Sequence, residues 1–208
     1  MLLAIDVGNT NIVVGCIDGD VIRCTARIAT DRIKTEDEYA MTLTQLFALR
    51  GIQPNKLKGA IISSVVPELK NILARAIQML CGITPLVVGA GVKSGLNIRI
   101  DNPAQLGSDL VVGAVGAMAK YPKPLLVFDF GTATTLSVID GKGAYLGGMI
   151  MPGLRMAVEA LASRTAQLPH IDLEAPPKAI GTNTIDCMNA GAIYGCIKNP
   201  PISISCIC

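Results

Sequence analysis

One stretch of this chain occurs twice. Leu2-Leu3-Ala4-Ile5-Asp6-Val7-Gly8-Asn9-Thr10 is matched by Leu125-Leu126-Val127-Phe128-Asp129-Phe130-Gly131-Thr132-Ala133. In each copy an apolar run enters Asp-x-Gly, small hydroxyl or amide residues follow, and a second apolar run comes next. Both copies then reach Ile-Asp-Gly, at residues 17–19 and 139–141. The two Asp-x-Gly aspartates lie 123 residues apart and the two Ile-Asp-Gly turns 122 apart. Self-similarity at a nearly constant offset marks a repeated supersecondary unit. It predicts two related lobes, 1–115 and 116–196, with an atypical tail over 197–208.

The rest of the pattern alternates strand-like and helix-like segments, which implies an α/β architecture. Strands are expected over Leu2–Ile5, Asn11–Ile17, Val21–Ile28, Ala60–Val66, Pro85–Val88, Leu125–Asp129, Thr134–Asp140 and Ala144–Ile150. Helices are expected over Glu36–Leu49, Pro67–Cys81, Asp109–Lys120, Pro152–Ala162 and Thr184–Cys196. Thr35 is placed to cap the first helix, with Asp37 and Glu38 near the positive end of its dipole. Gly82 is placed to stop the second.

Composition narrows the function classes. Eighteen Lys and Arg against sixteen Asp and Glu leave a formal charge of +2. That balance lacks the clustered basic excess of an electrostatic nucleic-acid binder. Charged residues are only 16% of the chain, yet no apolar run reaches the length of a spanning helix. There is no basic segment ahead of the first apolar run, so no signal peptide is expected. The seven cysteines form no CxxC pair, and most sit in apolar contexts, so free thiols in a reducing cytoplasm are expected. Cys206 and Cys208 would be the soft-metal candidates. His170, the only histidine, follows Pro169 in a loop. No His-based triad can therefore be built.

Asp-x-Gly at a strand-to-strand turn puts a carboxylate at the end of a rigid strand. The glycine allows close approach of a ligand. The following Asn-Thr or Thr-Ala-Thr-Thr supplies N–H and O–H donors. Such a turn can wrap phosphate oxygens while its carboxylate holds a cation directly or through water. Two such turns could clamp a nucleoside triphosphate and its metal. Ordinary hairpins would use the same turn-forming residues. A third acidic site follows Asn102-Pro103: Gly107-Ser108-Asp109 opens an apolar helix. Asp109 is either a simple helix cap or, beside the paired turns, a general base for a substrate hydroxyl.

In these residues the chain resembles the type III pantothenate kinases, of the acetate kinase/sugar kinase/Hsp70/actin superfamily. The resemblance runs from residue 1 to about 196. It is carried by Asp6-Val7-Gly8-Asn9-Thr10-Asn11, Thr30-Asp31-Arg32 with Asp37-Glu38-Tyr39, and Ile61-Ile62-Ser63-Ser64-Val65-Val66-Pro67. It continues through Asp101-Asn102-Pro103, Gly107-Ser108-Asp109, Asp129-Phe130-Gly131-Thr132-Ala133-Thr134-Thr135, Gly147-Gly148, Pro152-Gly153, Leu168-Pro169 and Gly181-Thr182-Asn183-Thr184. The resemblance implies two ribonuclease H-like (actin-like) lobes with an ATP cleft between them. It implies ATP-dependent phosphorylation of pantothenate to 4′-phosphopantothenate, the first step of coenzyme A synthesis, in the cytoplasm. Asp6, Val7, Gly8, Asn9, Thr10, Asn11, Ile12 and Val13 would bind ATP phosphates, with Asp6 also serving the divalent cation, Mg2+. Asp109 would accept the proton of the pantothenate hydroxyl, and Gly107, Ser108, Asp109 and Leu110 would line that site. Asp129 would hold a monovalent cation, K+ or NH4+. Thr132 would contact ATP and Thr184 pantothenate. Members are homodimers whose pantothenate site involves both subunits.

Three positions depart from the family pattern. Leu110 stands where the family usually has arginine, Ile100 where it often has tyrosine, and Gly113 where it commonly has asparagine. An arginine fork suits a carboxylate, and leucine offers none. Two alternatives therefore stand beside the pantothenate kinase: a non-catalytic nucleotide-binding relative with a regulatory or accessory role, and a kinase for another small hydroxylated substrate. The tail Ile197-Lys198-Asn199-Pro200-Pro201-Ile202-Ser203-Ile204-Ser205-Cys206-Ile207-Cys208 does not resemble the family. It reads as a frameshift or truncation.

Overall fold

A computed structural model describes residues 1–89 and 92–197 of the chain. Residues 198–208, which include most of the expected tail with Cys206 and Cys208, lie outside them. The architecture is α/β with two sheets. The chain divides into two compact units, Met1–Gly95 with Asn102–Val115, and Leu96–Asp101 with the residues from Gly116 onward.

In the first unit, β1 (Leu2–Val7), β2 (Asn11–Asp18) and β3 (Val21–Ala29) form an antiparallel meander. Helix α1 (Glu36–Leu49) carries the chain across to β4 (Gly59–Ser64), parallel to β1. Helix α2 (Pro67–Cys81) leads to β5 (Leu86–Val87), and the sheet order is β3-β2-β1-β4-β5. The core follows from side-chain periodicity. Every second residue of β1 and β2 is buried: Leu3, Ile5, Val7, and Ile12, Val14, Cys16. Against them α1 presents Tyr39, Leu43 and Phe47, one per turn. Helix α2 adds Leu69, Leu73, Ala76 and Ile77. Each fully buried Leu, Ile or Phe contributes roughly 1.5–3 kcal/mol.

The helix ends bear out the signals read from sequence. Thr35 caps α1 in a reciprocal capping box: the Glu38 N–H donates to Thr35 Oγ1 at 3.4 Å, and the Thr35 N–H donates to Glu38 Oε2 at 2.8 Å. Gly82 ends α2 in the left-handed region at φ 67°, its N–H on the Gln78 carbonyl. Strand β4 stops at Ser64 rather than Val66, because Ser64 Oγ takes the Val66 N–H at 3.1 Å and turns the chain.

Helix α3 (Ser108–Lys120) has residues in both units. In the second unit, β7 (Leu125–Phe130), β8 (Ala133–Ile139) and β9 (Ala144–Pro152) repeat the antiparallel meander. The repeat is structural in detail. Ladder irregularities fall between Cys16 and Ile17 in one meander and between Val138 and Ile139 in the other, 122 residues apart. The Asp-x-Gly turn closes on Asn11 in the first copy and, one residue sooner, on Ala133 in the second. This is where the sequence offset drops from 123 to 122. The second Ile-Asp-Gly turn is a structural corner. Asp140 accepts the Lys142 and Ala144 N–H groups at 2.8 Å, and the Ala144 bond chiefly holds its carboxyl below the usual range.

A short strand absent from the sequence reading, β6 (Asn97–Ile98), adds in parallel to β9, giving the order β6-β9-β8-β7. Strand β7 thus ends the sheet among the described residues, whereas its counterpart β1 has neighbours on both sides. Helix α4 spans Leu154–Arg164, not Pro152–Ala162, because Pro152 still pairs with Ala133 in the sheet. Helix α5 (Thr184–Ile197) packs on α4. No described helix is long and apolar enough to cross a membrane.

Candidate active site

The first Asp-x-Gly turn sits at the end of β1. Gly8 N–H donates to the Asn11 carbonyl at 2.9 Å and closes it. Since Ile5 and Val7 point into the core, strand alternation turns Asp6 to the opposite, exposed face. Asn9 and Thr10 are also exposed. The segment after β3 braces this turn from above. Thr30 donates its hydroxyl to the Gly8 carbonyl at 2.7 Å and its N–H to the Thr10 carbonyl at 3.0 Å. Arg32 donates to Asn9 Oδ1 at 3.1 Å.

The same edge of the sheet receives Asp109. Parallel register sets Asp6 beside Ser63 of β4. Ser63 Oγ donates to Ser108 Oγ at 3.4 Å, and Ser108 Oγ donates to the Ser64 carbonyl at 3.1 Å. These bonds hold the first turn of α3 at the ends of β1 and β4. Asp109, half-buried, is the second residue of that helix, where the dipole favours a carboxylate. Gly107 lies under the Asp109 side chain, which a Cβ at residue 107 would strike. Leu110 follows, half-buried. The structure therefore brings Asp6 through Asn11 together with Gly107 through Leu110 in one unit. Ile12 and Val13 continue into β2; Ile12 is core and Val13 opposes Asp6.

Asp129, Thr132 and Thr184 belong to the second unit. Asp129 is exposed at the end of β7 and lies opposite Thr135 of β8. Buried Thr134 Oγ1 and Thr135 Oγ1 have no hydrogen-bond partner among the described residues. Buried hydroxyls normally find one. Thr135 and Asp129 are ladder partners, so their side chains leave the same face of the sheet, and a hydroxyl with a carboxylate is a donor pair suited to a hard cation. Gly153 completes this turn: its N–H donates to the Thr132 carbonyl at 3.1 Å, and a Cβ there would run into the Gly131 and Thr132 carbonyls. Gly153 is also the residue before α4, so the first turn of that helix abuts the Asp-x-Gly-Thr turn. Thr184 opens α5 on its exposed side, after Asn183, whose Oδ1 takes the Asp186 N–H at 2.9 Å. His170 is exposed in a loop, as expected.

Ser63, Ser64, Arg32 and Gly153 stood inside motifs of the sequence without a role. Ser63 meets Ser108 across 45 residues of chain, and no local pattern encodes that contact. A separate cleft of about 560 Å3 opens in the first unit between Asp18, Arg23, Arg50 and Lys58, and it contains none of the expected site residues.

Residues 2–199 match the family described as type III pantothenate kinase. The chain is 48% identical over 197 residues to the type III pantothenate kinase of Moorella thermoacetica, covering 95% of this chain and 78% of that one. It is 46% identical over 195 residues to that of Geobacter sulfurreducens, covering 94% and 76%. Among solved structures it shares its fold with a Baf family transcriptional activator from Campylobacter jejuni, at TM-score 0.52 and 20% identity over 94% of this chain and 77% of that chain.

Proposed function

Because the chain belongs to the type III pantothenate kinase family, we propose that it transfers the γ-phosphoryl group of ATP to the primary hydroxyl of pantothenate. The products are ADP and 4′-phosphopantothenate, at the entry to coenzyme A synthesis. The observation that supports the reading is the Ser63–Ser108 hydrogen bond, which ties the helix turn carrying Asp109 to β4 at Ser63, the ladder partner of Asp6.

In this reading the turn from Asp6 to Val13 receives the phosphates, and its backbone N–H groups and the Thr10 hydroxyl line the oxygens. Asp109 accepts the hydroxyl proton as the new O–P bond forms and the bond to the ADP oxygen breaks. Phosphoryl transfer is mostly positioning and charge neutralisation, so rigid placement of Asp109 by Ser108 is the main contribution of the fold. The family implies a divalent cation with ATP; Mg2+ held at Asp6 would offset charge on the phosphates. Asp129, whose ladder partner Thr135 has a buried hydroxyl without a partner among the described residues, would hold K+ or NH4+. By the family resemblance, Thr132 would contact ATP, Gly107 through Leu110 would contact pantothenate, and so would Thr184. Assembly as a homodimer is part of the same proposal.

The test is phosphopantothenate formation from ATP, pantothenate, Mg2+ and K+. Asp109→Asn should keep the fold by circular dichroism and lower kcat by about a hundredfold or more, the scale of a general base. An unchanged kcat rejects the assignment of Asp109. Leu110 supports a second reading, a kinase for another small hydroxylated acceptor, since it gives a substrate carboxylate no fork. A panel of hydroxylated acceptors decides: turnover of another acceptor above that of pantothenate would favour it.

A further inference from the structure

We propose that Arg32 is a phosphate-contacting residue of the ATP site. The inference rests on the reading of the Asp6–Asn11 turn as the phosphate turn. Arg32 donates to Asn9 Oδ1 at 3.1 Å, in the middle of that turn. The segment that carries it is not a loose loop. Thr30 binds the turn on both sides, at the Gly8 and Thr10 carbonyls. Next to Arg32, the Tyr39 hydroxyl donates to the Asp31 carbonyl at 2.7 Å and accepts the Asp31 N–H at 3.1 Å. Tyr39 is fully buried in the core of the unit, so the backbone at residue 31 is anchored to α1. The Asp31 carboxylate accepts the Ile33 N–H at 2.9 Å.

The result is a guanidinium held over the turn before any ligand arrives. A guanidinium has several N–H donors in a fixed fork, and the bond to Asn9 uses one of them. The others can meet phosphate oxygens, and charge-assisted bonds of this kind are the strong ones. An arginine placed in advance at a phosphoryl-transfer site also stabilises charge that builds up in the transition state. Arg32 would thus act on the terminal phosphates, not on the adenosine.

Calorimetric titration of the full chain with ATP, ADP and AMP separates this from a bracing role. Arg32→Gln should lower ATP affinity by about tenfold or more, the scale of one hydrogen bond to a charged group. ADP affinity should fall less and AMP affinity stay nearly constant, with the melting temperature unchanged. Arg32→Lys should recover part of the ATP affinity, because it keeps the charge and loses the fork. Equal ATP affinity in Arg32→Gln and the parent overturns the proposal, and so does an equal loss for all three nucleotides. If the parent itself binds no ATP, the kinase reading falls along with it.

Discussion

Cys16 and Cys24 show how one residue's surroundings decide its chemistry. They are opposed across β2 and β3. Cys16 is fully buried and Cys24 half-buried. Burial, followed by the neighbouring Cys24, pushes the Cys16 thiol up to about 12. The thiolate is the reactive form, so a raised value makes Cys16 inert near neutral pH. Cys187 differs from the apolar context expected of most cysteines: it is exposed on α5. Iodoacetamide at about pH 8, near the value of an ordinary thiol, should therefore modify Cys187 in the folded chain and leave Cys16 intact. Peptide mass spectrometry reads both sites, and alkylation of Cys16 as fast as Cys187 would contradict the burial argument. Exposure of this kind was hidden from the sequence because α5 is apolar nearly all round, so no face could be assigned to it.

At the level of elements, α1 offers a charge-dependent cap. Hydrogen bonds from Thr35, backbone first and side chain second, hold the Glu38 carboxyl below its usual value. A carboxyl lowered in the folded state stabilises above its unfolded value and loses that contribution as pH falls through the folded one. Glu38→Gln should thus destabilise the first unit near neutrality, and the difference from the parent should shrink as pH drops below about 4.3, the unperturbed value for glutamate. Urea unfolding of both proteins across that range checks it; a difference independent of pH would show that the glutamate charge contributes nothing. The cap was legible because Thr35 and Glu38 are neighbours in sequence, and so were α2 with Gly82 and the two Asp-x-Gly meanders. Strand β6 was not, since two residues cannot show an alternation. The start of α4 was misplaced because Pro152 suits a first helical turn as well as a strand end, and only pairing with Ala133 decides. The site divides the same way. Asp6 and Asp109 carry local signatures, whereas the serines that join them lie on separate elements.

Across the whole molecule, the two copies of the meander share a topology but not a core. The first unit buries Leu3, Ile5, Ile12, Leu43, Phe47, Leu69, Leu73 and Ile77 completely. The second buries Ile139, Tyr145, Val158 and Met188, supplemented by the small Ala144, Ala190 and Ala192. Leu126, Phe130, Leu146, Met149 and Ile150 of its sheet remain exposed. A buried alanine contributes about one methyl group, roughly 0.8 kcal/mol, against roughly 1.5–3 kcal/mol for a large aliphatic side chain. Strand β7 adds to the imbalance, having a single described neighbour where β1 has two. Local opening free energy tracks buried apolar contact and protected backbone bonds. Amides of β7 and β8 should therefore exchange with deuterium well before those of β1 and β2, by about tenfold for each 1.4 kcal/mol by which the units differ. Peptide-resolved hydrogen exchange measures this on the intact chain. Matching exchange times in the two meanders would mean that the units open together, and the unequal cores would then have no bearing on how the chain unfolds. Staggered exchange would place the Asp109 edge on the firmer unit and Asp129 with Thr132 on the one that opens first, so that the loss of the second turn precedes the loss of the first as denaturant rises.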